Sequence, residues 1–122
     1  MQMNQFMIVM RGSHKEWNTH SPEEIQRIME RYHAYIENLK KENRFKGGSA
    51  LKDGSHHFRT DRGKVVVDGP FTETKEALNG YFVFEAKDEA EAVDIAKRCP
   101  ALTHGETVEL LQLTSHGEPE SQ

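Results

Sequence analysis

Phe6-Met7-Ile8-Val9-Met10 is apolar at every position. A strand with large apolar groups on both faces has to be covered from both sides. A second run, Gly80-Tyr81-Phe82-Val83-Phe84-Glu85-Ala86, sets the same demand, because Phe82 and Phe84 alternate with Tyr81 and Val83. Only two helical patterns are on offer to meet it. The first opens at Ser21, an N-cap followed by Pro22 and by Glu24 at capping-box distance. Ile25, Ile28, Met29, Tyr32, Tyr35, Ile36 and Leu39 then keep to one stripe, which predicts a helix over 22–42. The second pattern begins at Asp88, with Glu91 three residues on. Its buried stripe is Ala92, Val93, Ala96 and Cys99, and Pro100 ends it.

The remaining strands are shorter. Phe45 to Leu51 contains Gly47-Gly48, and paired glycines inside a strand predict a bulge or a close approach by another group. His57-Phe58-Arg59-Thr60 and Lys64-Val65-Val66-Val67 flank Asp61-Arg62-Gly63, a loop of hairpin type. Val108 to Leu113 forms the last strand. A single domain over 1–114 is expected, followed by a disordered tail over 115–122. The order is that of a ferredoxin-like α+β fold. Two helices cover one face of such a sheet, so a second copy of the chain is expected on the other, giving a homodimer.

Acidic residues number 20 against 16 basic, a formal charge of -4, which argues against a nucleic-acid footprint. The densest basic stretch, Lys40, Lys41, Arg44 and Lys46, falls at a helix end and reads as solvated surface. No run approaches 18 apolar residues, so no membrane partner is expected. Met1 to Met10 lacks a basic start and a small-residue cleavage site. Cys99 is the only cysteine, and it reads as a small buried apolar group. These points set a cytoplasmic expectation. The seven histidines lack ligand spacing, so neither a metal nor a cofactor is expected.

The most specific segment is Asp68-Gly69-Pro70-Phe71-Thr72-Glu73-Thr74-Lys75-Glu76, directly after Val65-Val66-Val67. Gly69-Pro70 breaks the strand there and leaves Asp68 at its end, while Phe71 needs a place to bury its ring. A carboxylate in that position either caps the following turn or serves as a base or ligand anchor at a cleft mouth. Together with Phe6 to Met10, Ser21-Pro22-Glu23-Glu24, Lys46 to Leu51, Gly80-Tyr81-Phe82 and Ala96 to Pro100, this segment resembles the DGPF or YCII-related family. The resemblance implies a dimeric ferredoxin-like α+β barrel with a pocket between the sheet and the motif loops. Some DGPF-type sequences are associated with extracytoplasmic-function sigma factors. The wider group includes a His-Asp pair and a lyase-type dehydrochlorinase, with its histidine in the first helix.

On this chain that position falls on Tyr32 or on its neighbour His33. Catalytic candidates are therefore Asp68 with Tyr32 or His33. Ligand-binding candidates are Arg11, Trp17, Phe71, Glu73 and Lys75, with Lys75 suited to an anionic substrate. Two functional readings stand open. One is an enzyme performing acid-base, lyase-like chemistry on a small molecule. The other is a non-catalytic ligand-binding or interaction module linked to sigma-factor regulation.

Overall fold

The computed structural model describes residues 3–12, 19–52, 54–71 and 78–114. Strand β1 (Asn4–Arg11) lies inside a four-stranded antiparallel sheet. It pairs with β5 (Leu78–Ala86) on one side and β6 (Thr107–Gln112) on the other, and β2 (Phe45–Ala50) pairs with the outer edge of β5. The order β2-β5-β1-β6 is compatible with a ferredoxin-like α+β fold, with β3 (Ser55–Asp61) and β4 (Lys64–Phe71) as an additional hairpin. The register sets Phe6 against Phe84 and Ile8 against Phe82. All four rings and side chains are buried toward one face. Phe84 stacks on Phe6 at 5.9 Å between centroids and lies 5.9 Å from Phe82.

Both helices cover that face. Helix α1 (Pro22–Lys41) starts where its cap predicts, with the Glu24 N–H donating to Ser21 Oγ at 3.2 Å. It buries Ile28 and Leu39 and rests Tyr32, Tyr35 and Ile36 against the core. The Tyr35 hydroxyl donates to the Ile95 carbonyl at 2.7 Å, tying α1 to α2 (Glu89–Lys97). Asp88 caps α2 by accepting from the Glu91 N–H at 2.9 Å. Its buried stripe is Ala92, Ile95 and Ala96, continued by Cys99. Val93, expected in that stripe, is only half-buried, because 92, 95, 96 and 99 follow the helical period more closely. Pro100 does not simply stop the chain. It opens a short 3-10 helix (Pro100–His104) that ends at Gly105 with φ of 87°. Cys99 is buried as expected, and burial pushes its thiol up to about 11, so it stays protonated.

The opposite sheet face carries Met7, Val9, Tyr81, Val83 and Leu111, with Tyr81 and Leu111 exposed. Val9 is buried, and among the described residues both helices pack on the other face.

The paired glycines of β2 mark a bulge. The register slips between Phe45 and Gly47, and Gly47 has φ of 137°. Strands β3 (Ser55–Asp61) and β4 (Lys64–Phe71) form a separate two-stranded ribbon. Its turn is Arg62-Gly63, with φ of 51° and 80°, both positive as a two-residue hairpin loop requires. The expected break at Gly69-Pro70 does not occur, since β4 runs through a cis Gly69-Pro70 bond to Phe71. The register slips between Ser55 and His57, and that irregularity admits a residue without an N–H. The expected tail over 115–122 lies outside the described residues.

Arg44 corrects the solvated-surface reading of its basic cluster. Its guanidinium bridges Glu42 at 2.8 Å and Glu91 at 2.5 Å and donates to the Glu85 carbonyl at 3.1 Å. Arg44 first, then the Lys87 N–H, hold the Glu91 carboxyl below its ordinary value of 4.5. A carboxyl depressed in the folded state stabilises above its unfolded pKa and loses that contribution as pH falls through the folded value. Arg44→Ala should therefore destabilise the protein more at pH 7 than at pH 3, read by thermal unfolding at both. An equal loss at the two values would rule out this linkage.

Candidate functional site

A cavity of about 510 Å³ opens between α1 and the sheet. Most of its wall is apolar: Met10 from β1, Met29 and Ile36 from α1, Phe45 from β2, and Phe82 from β5. Two glycines keep the strand side low. A Cβ on Gly48 would lie 2.5 Å from both Phe82 Cβ and the Tyr81 carbonyl oxygen. A Cβ on Gly80 would lie 3.0 Å from the Ser49 carbonyl oxygen and 3.3 Å from Met10 Cε. The close approach expected at Gly47-Gly48 is thus realised at Gly48, where β2 and β5 lie too near each other for a side chain.

The polar residues of the cavity include a cluster built around Glu106. Its carboxylate sits just after the 3-10 helix and Gly105, at the entry to β6. His104 Nε2 lies 2.5 Å from Oε1. An ionised carboxylate only accepts, which assigns the Nε2 proton as the donor. Asn79 Nδ2 donates to Oε2 at 3.0 Å, and the Tyr32 hydroxyl donates to Oε1 at 3.5 Å. The His104 and Glu106 side chains are only 5% and 12% exposed. Tyr32 and His104 also meet edge to face, with centroids 5.8 Å apart. Gly12 makes room for this carboxylate, since a Cβ there would lie 2.8 Å from Glu106 Cγ.

Burial first, and the Glu106 charge second, push the Tyr32 phenol far above its ordinary value of 10. Tyr32 therefore remains a neutral O–H donor at any working pH. Its 3.5 Å contact to Glu106 is at the weak end of hydrogen bonding, so that proton is available to a ligand oxygen. Asn79 Oδ1 is buried without a hydrogen-bond partner among the described residues.

The candidates expected from sequence are placed as follows. Tyr32 lines the cavity, whereas His33, the next residue, is exposed. Asp68 sits within β4, opposite His57, and its carboxylate pairs with Arg59 Nε at 3.0 Å with its side chain 44% exposed. It is not among the residues lining the cavity, so the geometry does not bring Asp68 to Tyr32. The reason is that β4 continues past Asp68, which is therefore a ribbon residue rather than the rim of a cleft. Arg11 pairs with Glu109 at 3.6 Å, across the β1–β6 ladder. Phe71 ends β4 opposite Ser55, and its side chain is not described. Trp17, Glu73 and Lys75 lie outside the described residues.

Glu106, His104 and Asn79 escaped the sequence reading as site residues. The available signal was His104-Gly105-Glu106, two ionisable groups around a glycine between a helix end and a strand. Among the described residues no group of three His, Cys, Asp or Glu side chains is placed to hold a metal ion. No described helix is long and apolar enough to cross a membrane.

No match to a curated protein was found. The YCII-related domain matches residues 5–114, covering every strand and helix from which the cavity is built except for the first residue of β1. This chain belongs to the YCII-related family.

Proposed function

We propose that the protein binds a small, largely apolar organic molecule in the cavity between α1 and the sheet and carries out proton transfer on it. The supporting observation is the largely buried Glu106 carboxylate, held by His104 and Asn79 with Tyr32 in reach, beside an apolar cavity. Such a group contributes little to stability, because an apolar residue of similar volume would cost no desolvation. In this reading Glu106 is the base, with His104 as its proton partner. Tyr32, held neutral, donates to a carbonyl oxygen on which negative charge develops. The chemistry is abstraction of a proton next to a carbonyl, the first half of a lyase or isomerase step. Asp68, paired with Arg59, has no part in it.

The test uses a panel of small ketones with aromatic or branched aliphatic tails, followed by NMR in D2O. Saturable binding should shift the Tyr32 and His104 signals, and the carbon-bound proton next to the carbonyl should exchange faster than in buffer. Binding without exchange would remove the catalytic step. It would leave the second reading, a ligand-binding module, which the full set of partners on Glu106 favours.

The same reading includes a homodimer formed through the sheet face that carries Met7, Val9, Tyr81, Val83 and Leu111. Its centre is apolar, with Arg11, Glu85 and Glu109 around it, and both helices lie on the other side. Light scattering should return twice the 14.0 kDa chain mass. A single-chain mass at micromolar concentration would exclude it. The lone Cys99, with no disulfide to protect, suits a cytoplasmic setting.

A further inference from the structure

The β3–β4 ribbon presents a second apolar surface. Phe58 and Val67 are directly opposite in the register, and Val65 follows on the same face opposite Thr60. These three side chains are 67%, 53% and 71% exposed. The other face carries His57 opposite Asp68 and Asp61 opposite Lys64, together with the Arg59–Asp68 ion pair. Among the described residues the ribbon packs on itself and makes no extended contact with the four-stranded sheet or with either helix. An isolated two-stranded hairpin is marginal in water. It needs a third strand or a packed face to be stable.

We infer that this hairpin is a dimerisation arm whose Phe58–Val65–Val67 face docks on the open sheet face of a second copy of the chain. The inference rests on the homodimer proposed above and adds which surface reaches across. Among the described residues, neither the ribbon face nor the far sheet face is covered by that chain's own helices. A two-fold axis lets each copy supply both an arm and a sheet face, so every contact is made twice. A standard stable interface of roughly 1,600 Å² needs both arms and both sheet faces together. The charges agree as well. Residues 55–71 hold Arg59, Arg62 and Lys64 against Asp61 and Asp68, a net +1, which leaves -5 on the remainder of a chain whose total is -4. On the receiving face Glu85 and Glu109 are already paired with Lys46 and Arg11, so the acidic excess belongs to the body as a whole. A cationic arm is thus steered toward an acidic body.

Two experiments test this. Phe58→Asp changes an exposed side chain, so circular dichroism should be unchanged while the dimer weakens by about 30-fold or more, the scale of an interface hot spot. The second introduces Val67→Cys and Val83→Cys on separate chains and mixes them under mild oxidation. Cys99 is buried and does not compete. A disulfide-linked heterodimer is expected. If the wild-type chain is monomeric, the dimer reading and the arm fail together. If the wild type is dimeric but Phe58→Asp has no effect and no heterodimer forms, the arm alone is overturned. A doubly substituted chain that closes only an internal disulfide would show the arm folding on its own sheet, and would overturn it too.

Discussion

Glu106→Gln is expected to keep the fold and lower the exchange rate of a bound ketone by about 10²- to 10⁴-fold, the usual contribution of a positioned general base. The amide is nearly isosteric, and its oxygen can still accept from His104 or Asn79. Its NH2 group cannot accept, so one of the three donors now aimed at the carboxylate loses its partner. A modest loss of stability of about 1–2 kcal/mol should accompany the change. Ligand affinity should fall far less than the exchange rate, because the apolar wall is untouched. Glu109→Gln, a more exposed carboxylate three residues on in β6, serves as the control and should change neither quantity. An unchanged exchange rate in Glu106→Gln would sink the catalytic assignment. A parallel loss of binding and exchange would instead make Glu106 a ligand anchor.

Phe84→Ala should cost about 3–5 kcal/mol of folding stability, the range for removing a buried aromatic ring. Phe84 is fully buried, lies between Phe6 and Phe82, and sits in a strand paired on both edges. No neighbour can move in without breaking a ladder, so the cavity left behind stays open. For a domain with roughly 5–15 kcal/mol in total, this is a large fraction. The melting temperature should drop by about 10–20 °C, compared at equal protein concentration because dimerisation adds its own stabilisation. A cost below about 1 kcal/mol would mean that the three rings do not form the packed centre of the core.

Much of the architecture is local and therefore legible. Ser21 and Asp88 cap their helices because a short oxygen-bearing side chain satisfies an N–H two or three residues ahead, whatever the rest of the chain does. The alternation in Phe6–Met10 and Phe82–Phe84 announces two apolar faces before any strand is paired. Arg62-Gly63 turns a hairpin because its backbone requirement is met within two residues. The Asp68 motif shows where local reasoning stops. Gly69-Pro70 has the chemistry of a strand end, yet a slip in register carried β4 through it, and Asp68 became a ribbon residue paired with Arg59.

The candidate site is non-local throughout. Tyr32 and Glu106 are 74 residues apart, and Asn79 and Glu106 are 27 apart. They meet because α1 packs against the 3-10 helix and because that turn, ending at Gly105, sets His104 and Glu106 beside each other. Both helices, the apolar faces of β1 and β5 and the family were legible along the chain, whereas the end of β4 was not. That Tyr32 meets Glu106 and not Asp68 follows from packing alone. Caps, turns and alternation depend on neighbours a few residues away, whereas the meeting of two side chains depends on register and packing across the whole sheet.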